Sequence, residues 1–277
     1  MRKSLPTLKK IASKMGISEE QLLERVGFLF PEKRPSSQII HLLDKESLKE
    51  YQVKCTGIGN IKHTTGDFIQ YSFEINDEWK DYSVLVKATS FDDKRMPQFI
   101  KTDYFLTRFD SHCETQMLFG DLTCDCMGQL QMAIQKIAER GEGAIIHIKN
   151  HEGRGKGIAS KLDQLAICNE LGIDTVTASK LRAELVEGIE VEHFPLLSII
   201  DTRDFLGCVA ILKFFNVPSK IKLMLQTNNP NKTKALSENG YDFECYNIHT
   251  EPNDLNRHHL EAKKIELGHN FNQEYEK

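Results

Sequence analysis

Three cysteines are the residues of this chain whose spacing points most directly to chemistry. Cys113, Cys124 and Cys126 form a Cys-x(10)-Cys-x-Cys array. Thiolates are preferred zinc ligands, and a catalytic zinc commonly has three protein ligands and one open position, whereas a structural zinc is closed by four. Water activated by such a zinc ion can attack an electrophilic carbon near neutral pH. The array therefore predicts a zinc hydrolase.

Other roles for these cysteines stay open at the level of sequence. His112 would complete a four-ligand structural zinc site. A disulfide from Cys113 to either later cysteine would need an oxidising compartment, and the odd count of seven cysteines argues against a disulfide framework. The remaining cysteines occupy apolar or mixed segments and are interpreted as core thiols: Cys55, Cys168, Cys208 and Cys245.

The composition is that of a globular protein without a membrane span. The 277 residues carry a formal net charge of −4, which gives no electrostatic case for nucleic acid as the main partner. The amino terminus has no apolar core of a signal peptide, and no apolar run is long enough to cross a bilayer. We therefore expect a cytoplasmic protein with one large domain or two small ones.

The amino-terminal part is predicted to form helices and then antiparallel strands. Residues 1–30 have apolar residues at helical spacing that Gly16 interrupts, and Ser18 with Gln21 forms a capping box for a second helix. A helical hairpin packed on the main domain is favoured over a DNA-binding helix-turn-helix, because the chain is acidic. From about residue 50 to 110 the apolar period shifts toward two, which predicts antiparallel strands.

After residue 104, strands are predicted to alternate with polar loops and helices. Residues 143–149, 194–200 and 220–226 read as strands, and each is followed by a polar loop and a helix. Such units imply α/β layering, in which ligands bind outside the carboxyl ends of the strands. The polar loops and the cysteines are therefore expected to converge on one cleft.

Two of these loops contain residues suited to an anionic substrate. In loop 151–157 glycines let the backbone approach a ligand closely, and Arg154 and Lys156 offer cationic donors to phosphate oxygens. The loop matches neither the Walker phosphate loop nor the dinucleotide fingerprint, and a flexible surface loop is the alternative. Asp201 and Arg203 form either a catalytic pair or a salt-bridged helix start.

In combination, these segments resemble GTP cyclohydrolase II, the zinc enzyme that opens riboflavin biosynthesis. The resemblance covers about residues 104–270. It rests on Arg108-x-x-Ser111-x-Cys113, Cys124-Asp-Cys126-x-x-Gln129, Glu152-Gly-Arg154, Asp201-x-Arg203-Asp-Phe205, Thr227-Asn-Asn-Pro-x-Lys232 and Leu260-x-x-Lys263-x-x-x-Leu267-Gly-His269. Residues 1–100 lie outside the family's short catalytic unit. We therefore divide the chain into a helical and β-rich region of unknown role, 1–100, and a catalytic domain, 101–277.

The resemblance implies an α+β fold with a mixed sheet and flanking helices, a homodimer, and a reaction on GTP or a related purine nucleotide. Zn²⁺ held by the three cysteines would activate the water that attacks C8 of guanine, and Mg²⁺ would bind with the phosphates. The ring opens to a formamide, a second hydrolysis releases formate, and pyrophosphate is lost. Arg203 matches the family's proposed nucleophile and Asp201 its acid/base. The positions that match nucleotide-binding residues are Arg108, Ser111, Gln129, Glu152, Gly153, Arg154, Thr175, Thr227 and Lys232.

The chain departs from the family's pattern at several positions. Asp110 and His112 stand where the family has His and Glu, and Lys156 replaces an apolar residue near the expected phosphates. Leu165 occupies the position of the catalytic Tyr. Because leucine cannot move a proton, this departure favours a reaction that stops at the formylamino-pyrimidine. An extra stretch, about residues 180–192, precedes the acid/base motif.

Two alternatives to the opening of GTP stay open. One is a changed substrate, either another purine nucleotide or an unphosphorylated relative; the other is a nucleotide-sensing regulator without turnover. The retained Arg154, Arg203 and Lys232 favour a phosphorylated substrate. The three cysteines together with the Asp201 and Arg203 pair favour an enzyme, because a sensor needs neither.

Overall fold

Helices and strands alternate along the part of the chain that the computed structural model describes, residues 5–76, 78–248 and 250–269. Residues 1–4 of the predicted helical start lie outside it. The helices are α1 (Leu5–Met15), α2 (Glu19–Val26), α3 (Glu114–Phe119), α4 (Cys126–Arg140), α5 (Gly157–Leu171), α6 (Thr175–Glu187), α7 (Leu196–Ile200), α8 (Leu206–Phe214), α9 (Asn231–Glu238) and α10 (Arg257–Leu267). The strands are β1 (Gln38–Asp44), β2 (Ser47–His63), β3 (Gly66–Ile75), β4 (Glu78–Lys87), β5 (Ser90–Phe91), β6 (Pro97–Gln98), β7 (Tyr104–Ser111), β8 (Gly143–Ile148), β9 (Lys222–Gln226) and β10 (Phe243–Tyr246). None of the helices in this part is both long and apolar enough to cross a bilayer.

Eight of these strands form one mixed sheet, in the order β1-β2-β3-β4-β8-β7-β9-β10. Neighbours from β1 to β8 are antiparallel. The period of two between residues 50 and 110 predicts this for β2 to β4, whereas β7, at the end of that range, is parallel to both of its neighbours. Neighbours from β8 to β10 are parallel. The short strands β5 and β6 pair separately. The predicted α+β class, a mixed sheet with flanking helices, is confirmed.

The sheet is continuous across residue 100. β4 pairs with β8 over its whole second half, from Tyr82 opposite Ile148 to Lys87 opposite Gly143. The core is continuous as well, because Phe73 of β3 packs edge-on against Phe214 of α8 with ring centroids 5.0 Å apart. The division into a region 1–100 and a domain 101–277 stays a prediction, and the core packs the two together.

The two predicted amino-terminal helices are confirmed as α1 and α2. The capping box is present, since Gln21 N donates to Ser18 Oγ at 3.0 Å and Ser18 N donates to Gln21 Oε1 at 3.0 Å. Arg34 ties the segment that follows the hairpin to β2, because its guanidinium donates to the carbonyl of Phe28 at 3.0 Å and to that of Thr56 at 2.6 Å. Packing of α1 and α2 themselves on the main domain stays a prediction.

One predicted strand is wrong. The apolar run at 194–200 contains the short helix α7, with Pro195 as its N-cap. Ile199 and Ile200 of this helix pack with Val176 of α6 in a cluster separate from the main core. A short apolar run does not distinguish a strand from a buried helix. The units β8–α5 and β9–α9 are confirmed, whereas the middle unit begins with a helix.

The parallel strands place the functional loops. Ser111, Ile148 and Gln226 are the last residues of the neighbouring strands β7, β8 and β9. Since parallel strands end at the same edge of a sheet, the segments that follow them converge there. These segments begin with Cys113, with loop 149–155 and with Thr227, which is the convergence that the sequence predicts.

Candidate functional site

One cleft collects the predicted site residues. Every one of them lines it except Asp201, which lies behind Arg203. Residues that sequence reasoning did not single out also line it, among them His151, Lys161, Gln164 and Asn228. Helix α10 forms part of its wall through residues of the carboxyl-terminal motif: Leu260, Lys263 and Leu267, followed by His269.

The three cysteines meet at the carboxyl end of β7. Cys113 precedes α3, Cys126 begins α4, and the three sulfurs lie within 4.8 Å of one another. Among the described residues, no other group of three or more His, Cys, Asp or Glu side chains brings its ligand atoms so close. His112 turns its Nδ1 to His147 instead, at 3.2 Å. This geometry favours a three-ligand site over a structural site closed by His112.

Negative charge is concentrated on the first of these cysteines. Hydrogen bonds from Cys124 and Cys126, together with the Lys161 cation, hold the pKa of the Cys113 thiol far below its ordinary value. The hydrogen bond to Cys113 raises the pKa of Cys124 to about 12. A clustered set of three soft thiol donors fits a thiophilic divalent metal such as zinc.

The other cysteines lie away from this cluster. Cys55, Cys168 and Cys208 are buried, as predicted, but Cys245 is exposed. Its interpretation as a core thiol is wrong, because Cys245 lies on β10, the edge strand of the sheet.

Lys161 connects the cysteines to the loop after β8. Its Nζ lies 3.0 Å from Cys113 Sγ and 2.9 Å from Glu152 Oε1. The other carboxylate oxygen of Glu152 accepts a hydrogen bond from the backbone N–H of Glu114 at 2.5 Å. Helical spacing could have revealed Lys161, because it stands one turn before Leu165 on α5 and so shares its face.

Arg108 and Gln129 form a polar pair in the cleft. The Arg108 guanidinium donates to Gln129 Oε1 at 3.1 Å and to Asp110 Oδ1 at 2.8 Å. The Gln129 amide nitrogen donates to Asp125 Oδ2 at 2.6 Å. The orientation of the Gln129 amide is therefore fixed on both sides, and each of its polar atoms keeps capacity for one more hydrogen bond.

The two departures before Cys113 belong to one hydrogen-bond chain. Burial alone would raise the pKa of Asp110, but the Arg108 charge and the hydrogen bond from His147 hold that pKa below its usual range. As a carboxylate, Asp110 accepts from His147 Nδ1 at 2.7 Å. His147 Nε2 lies 3.2 Å from His112 Nδ1, so the chain continues to His112, which lines the cleft.

The glycine-rich loop carries Arg154 into the cleft. The Arg154 guanidinium donates to Ser179 Oγ of α6 at 2.6 Å, and the Ser179 hydroxyl donates to the Thr175 carbonyl at 2.6 Å. Burial and the charge of Arg203 lower the pKa of Arg154 to about 10. The Thr175 hydroxyl is buried without a hydrogen-bond partner in the described structure. Both groups suit an anionic ligand with several acceptor oxygens.

Asp201 and Arg203 form the predicted pair. Nε and Nη2 of Arg203 both donate to the Asp201 carboxylate, with Nε 2.8 Å from Oδ1, and Nη1 lies 3.5 Å from Ser111 Oγ. Burial would raise the pKa of Asp201, but Arg203 outweighs this and holds the pKa below its usual range. Asp201 is therefore ionised and is held by Arg203 on both carboxylate oxygens.

The last predicted cation is buried beneath the cleft. Lys232 Nζ donates to the carbonyl of Phe109 at 2.5 Å, and its residue is only 6% exposed. Burial and the charges of Arg108 and Arg203 lower the pKa of Lys232 to about 7. Thr227, in the same loop, accepts from Asn229 N at 3.0 Å.

Two further residues that differ from the family's pattern, Leu165 and Lys156, lie in different places. Leu165 lines the cleft, whereas Lys156 turns away from it and pairs with Glu187 at 2.7 Å. The expectation that Lys156 adds a charge beside the phosphates is therefore not met. Glu187 belongs to the extra stretch near 180–192, most of which continues α6.

A sequence model of the family described as GTP cyclohydrolase II matches residues 58–246 of this chain. The chain belongs to the GTP cyclohydrolase II family. Membership places it among the hydrolases. The match begins within β2, well before residue 104. The part shared with the family therefore includes antiparallel strands that lie outside the motifs.

Relatives of two kinds are similar to this chain. The GTP cyclohydrolase-2 of Buchnera aphidicola (subsp. Schizaphis graminum) is 33% identical over 205 residues, 74% of this chain and 90% of that protein. The riboflavin biosynthesis protein RibBA of Aquifex aeolicus is 37% identical over 64% of this chain but only 39% of its own length. That of Cytophaga hutchinsonii is 30% identical over 96% of this chain and 55% of its own length. The chain thus spans about half or less of the RibBA proteins it matches.

Proposed function

We propose that this protein opens the imidazole ring of GTP, or of a closely related purine nucleotide, as a step of riboflavin biosynthesis. The observation that carries the proposal is the composition of one cleft. It combines the three clustered thiols, the fixed Arg108 and Gln129 pair, and the cations Arg154, Arg203 and Lys232. A metal, a base and a polyphosphate each have partners of suitable chemistry there.

The proposed metal is zinc, held by Cys113, Cys124 and Cys126. Their sulfurs are close together, and three thiolates leave a tetrahedral position open. Zinc bound there would supply Lewis-acid activation of water for hydrolysis of the ring. Mg²⁺ is proposed as the companion of the phosphates, because it prefers oxygen ligands and keeps part of its water shell.

Gln129 is proposed to read the base. Arg108 and Asp125 occupy one bonding direction on each polar atom of its amide, which leaves one acceptor lone pair and one N–H for a purine edge. A base that failed to pair would leave these groups unsatisfied in a half-buried site, which penalises it. Arg154, Arg203 and Lys232 are proposed to contact phosphate oxygens.

The reaction is proposed to end at the formylamino-pyrimidine. Leu165 presents an apolar side chain to the cleft, one helical turn after Lys161, where the resemblance places a catalytic Tyr. A leucine neither donates nor accepts a proton, so the second hydrolysis lacks the group that would assist it.

Product analysis tests both parts of the proposal. Zinc-loaded protein is incubated with GTP and Mg²⁺, and the products are identified by mass spectrometry with a separate assay for formate. We expect a ring-opened, formylated pyrimidine and pyrophosphate, with little formate. Cys126→Ser should lose both the zinc and the product, whereas Cys245→Ser, at an exposed cysteine outside the cluster, should keep both.

The other outcomes are equally decisive. Formate released in proportion to product would overturn the incomplete reaction while leaving ring opening intact. Absence of turnover with zinc still bound would overturn GTP as the substrate, and a panel of purine nucleotides would then separate a changed substrate from a nucleotide sensor.

We also propose a homodimer, which rests on the resemblance, and a cytoplasmic location, which rests on the composition. Sedimentation equilibrium with the full chain tests the first of them. A monomer at micromolar concentration would overturn it.

A further inference from the structure

The loop that carries Arg154 has a strained backbone. Gly153, Arg154, Gly155 and Gly157 have φ values of +57°, +58°, +87° and +86°. Glycine adopts this left-handed region freely, but arginine does so only at a cost. A strained residue of this kind keeps its conformation only when the surrounding structure fixes it.

One side of the loop is fixed by the segment that contains Asp201 and Arg203. Thr202 N donates to the Arg154 carbonyl at 3.0 Å. A Cβ atom on Gly155 would lie only 2.6 Å from Thr202 Oγ1, so the loop packs closely against this segment. This close contact explains why residue 155 is a glycine. It holds only the side of the loop that faces Thr202.

The far side is fixed by an ion-pair network that includes the departure at Lys156. Lys156 Nζ lies 3.0 and 2.7 Å from the two carboxylate oxygens of Glu187. Arg182 also donates to Glu187, and it donates to Asp163 Oδ2 of α5 at 2.9 Å. These four charges form a connected network, which holds its geometry better than an isolated surface pair.

The location of Glu187 at the end of α6 indicates that this network connects the helix to the loop. Glu187 is the last residue of α6, where the negative end of the helix dipole disfavours a carboxylate. The two cations offset that disadvantage. The same helix carries Ser179, which accepts a hydrogen bond from the Arg154 guanidinium. Helix α6 therefore holds both the side chain of Arg154 and the loop just after it.

We propose that Glu187 is a positioning residue that fixes the strained loop through Lys156 and so keeps the Arg154 guanidinium in the cleft. Lys156 and the stretch 180–192, both departures from the family's pattern, then act together, because Glu187 of that stretch pairs with Lys156. The role of Arg154 toward phosphate rests on the proposed function, but the fixing of the loop does not. The proposal concerns binding of the anionic substrate and not the chemistry of the ring.

The experiment compares Glu187→Gln with Glu184→Gln, the same change at an exposed position of the same helix. Amide hydrogen exchange of residues 153–157 is measured on the full chain without nucleotide. Loss of the network should speed exchange about three- to tenfold in Glu187→Gln alone. The KM for GTP should rise by about the same factor while kcat stays within about twofold.

A double-mutant cycle separates positioning from general destabilisation. Lys156→Gln should speed loop exchange and raise KM as much as Glu187→Gln does, and the double variant Lys156→Gln/Glu187→Gln should go no further than either single change. Unchanged exchange in Glu187→Gln, or faster exchange with an unchanged KM, would overturn the proposal. If the unaltered protein does not turn over GTP, the proposed function fails, and the exchange rates of the double-mutant cycle still decide whether Glu187 fixes the loop.

Discussion

At the scale of single residues, the cleft is notable for how many cations it holds in a confined space. Burial, together with the charges of Arg108 and Arg203, lowers the pKa of Lys232 to about 7. His151 lies close by, and burial together with the charges of Arg203 and Lys232 lowers its pKa to about 3, so it is neutral. This accumulation of positive charge is unfavourable until an anion enters, so a polyphosphate would relieve it.

Lys232 should therefore take up a proton when a nucleotide binds above pH 7. The free lysine loses its proton as the pH rises through about 7, whereas phosphate stabilises the charged form. Binding at pH 8 should take up close to one proton, and affinity should fall as pH rises from about 7 to 9. Calorimetric titration of GTP into the Cys126→Ser variant, which prevents turnover, in buffers of different ionisation enthalpy measures this uptake.

Lys232→Arg in the same background is the control, because arginine stays protonated throughout this range. It should show no proton uptake at pH 8. A dependence on buffer that persists in this variant would assign the proton to another group.

At the scale of elements, helix α8 fixes the antiparallel half of the sheet to the cleft. Nearly all of its residues are buried, including Gly207 and Val209. The helix follows Phe205, whose ring packs edge-on against His151 with centroids 5.0 Å apart. Gly207 lies where α8 approaches β4, and a Cβ there would stand 2.0 Å from the Tyr82 hydroxyl oxygen.

Gly207→Ala should destabilise the protein because this contact cannot be relieved without moving a buried ring or the helix. Overpacking of this kind costs roughly 1–3 kcal/mol. The free energy of unfolding, measured by urea denaturation, should fall by that amount. Gly59→Ala in β2 is the matched control, since a Cβ there has no neighbour within 4 Å. Equal stabilities of the two variants would refute this account of the packing.

At the scale of the whole molecule, the sheet makes the amino-terminal strands part of the framework of the cleft. β8, which leads into the Arg154 loop, pairs with β7 on one side and with β4 on the other. The aromatic core beneath it combines Tyr71 and Phe73 with Phe214 and Phe215, which lie far apart in the sequence. The helical hairpin of α1 and α2 lies outside this sheet, and Arg34 ties the segment that follows it to β2.

A fragment of residues 101–277 should therefore fail to fold cooperatively. It would expose the edge of β8 and the apolar face of α8, which β1 to β4 normally cover. Circular dichroism and urea denaturation of the purified fragment measure this. A fragment of residues 35–277, which lacks only the hairpin, should keep a single cooperative transition. Cooperative unfolding of 101–277 would show that the predicted domain boundary marks an independent unit.

The sequence alone determined what depends on local spacing. Helical and strand periods predicted α1, α2 and the antiparallel strands, and the capping box at Ser18 was correct, because these features depend on neighbouring residues. The cysteine array and the ordered motifs indicated the family, which the comparisons confirm. Local pattern failed at 194–200, since burial against α6 decided the conformation of an ambiguous apolar run.

Tertiary structure decided every relation between residues distant in sequence. Sequence showed Asp110, His112 and Lys156 as departures from a pattern but did not show their partners. The fold pairs the first two through His147 and gives the third a partner in Glu187. These contacts exist because parallel strands end at a common edge and α6 packs beside the loop that follows one of them. Such proximity is set by chain topology and burial, which no local spacing of residue types records.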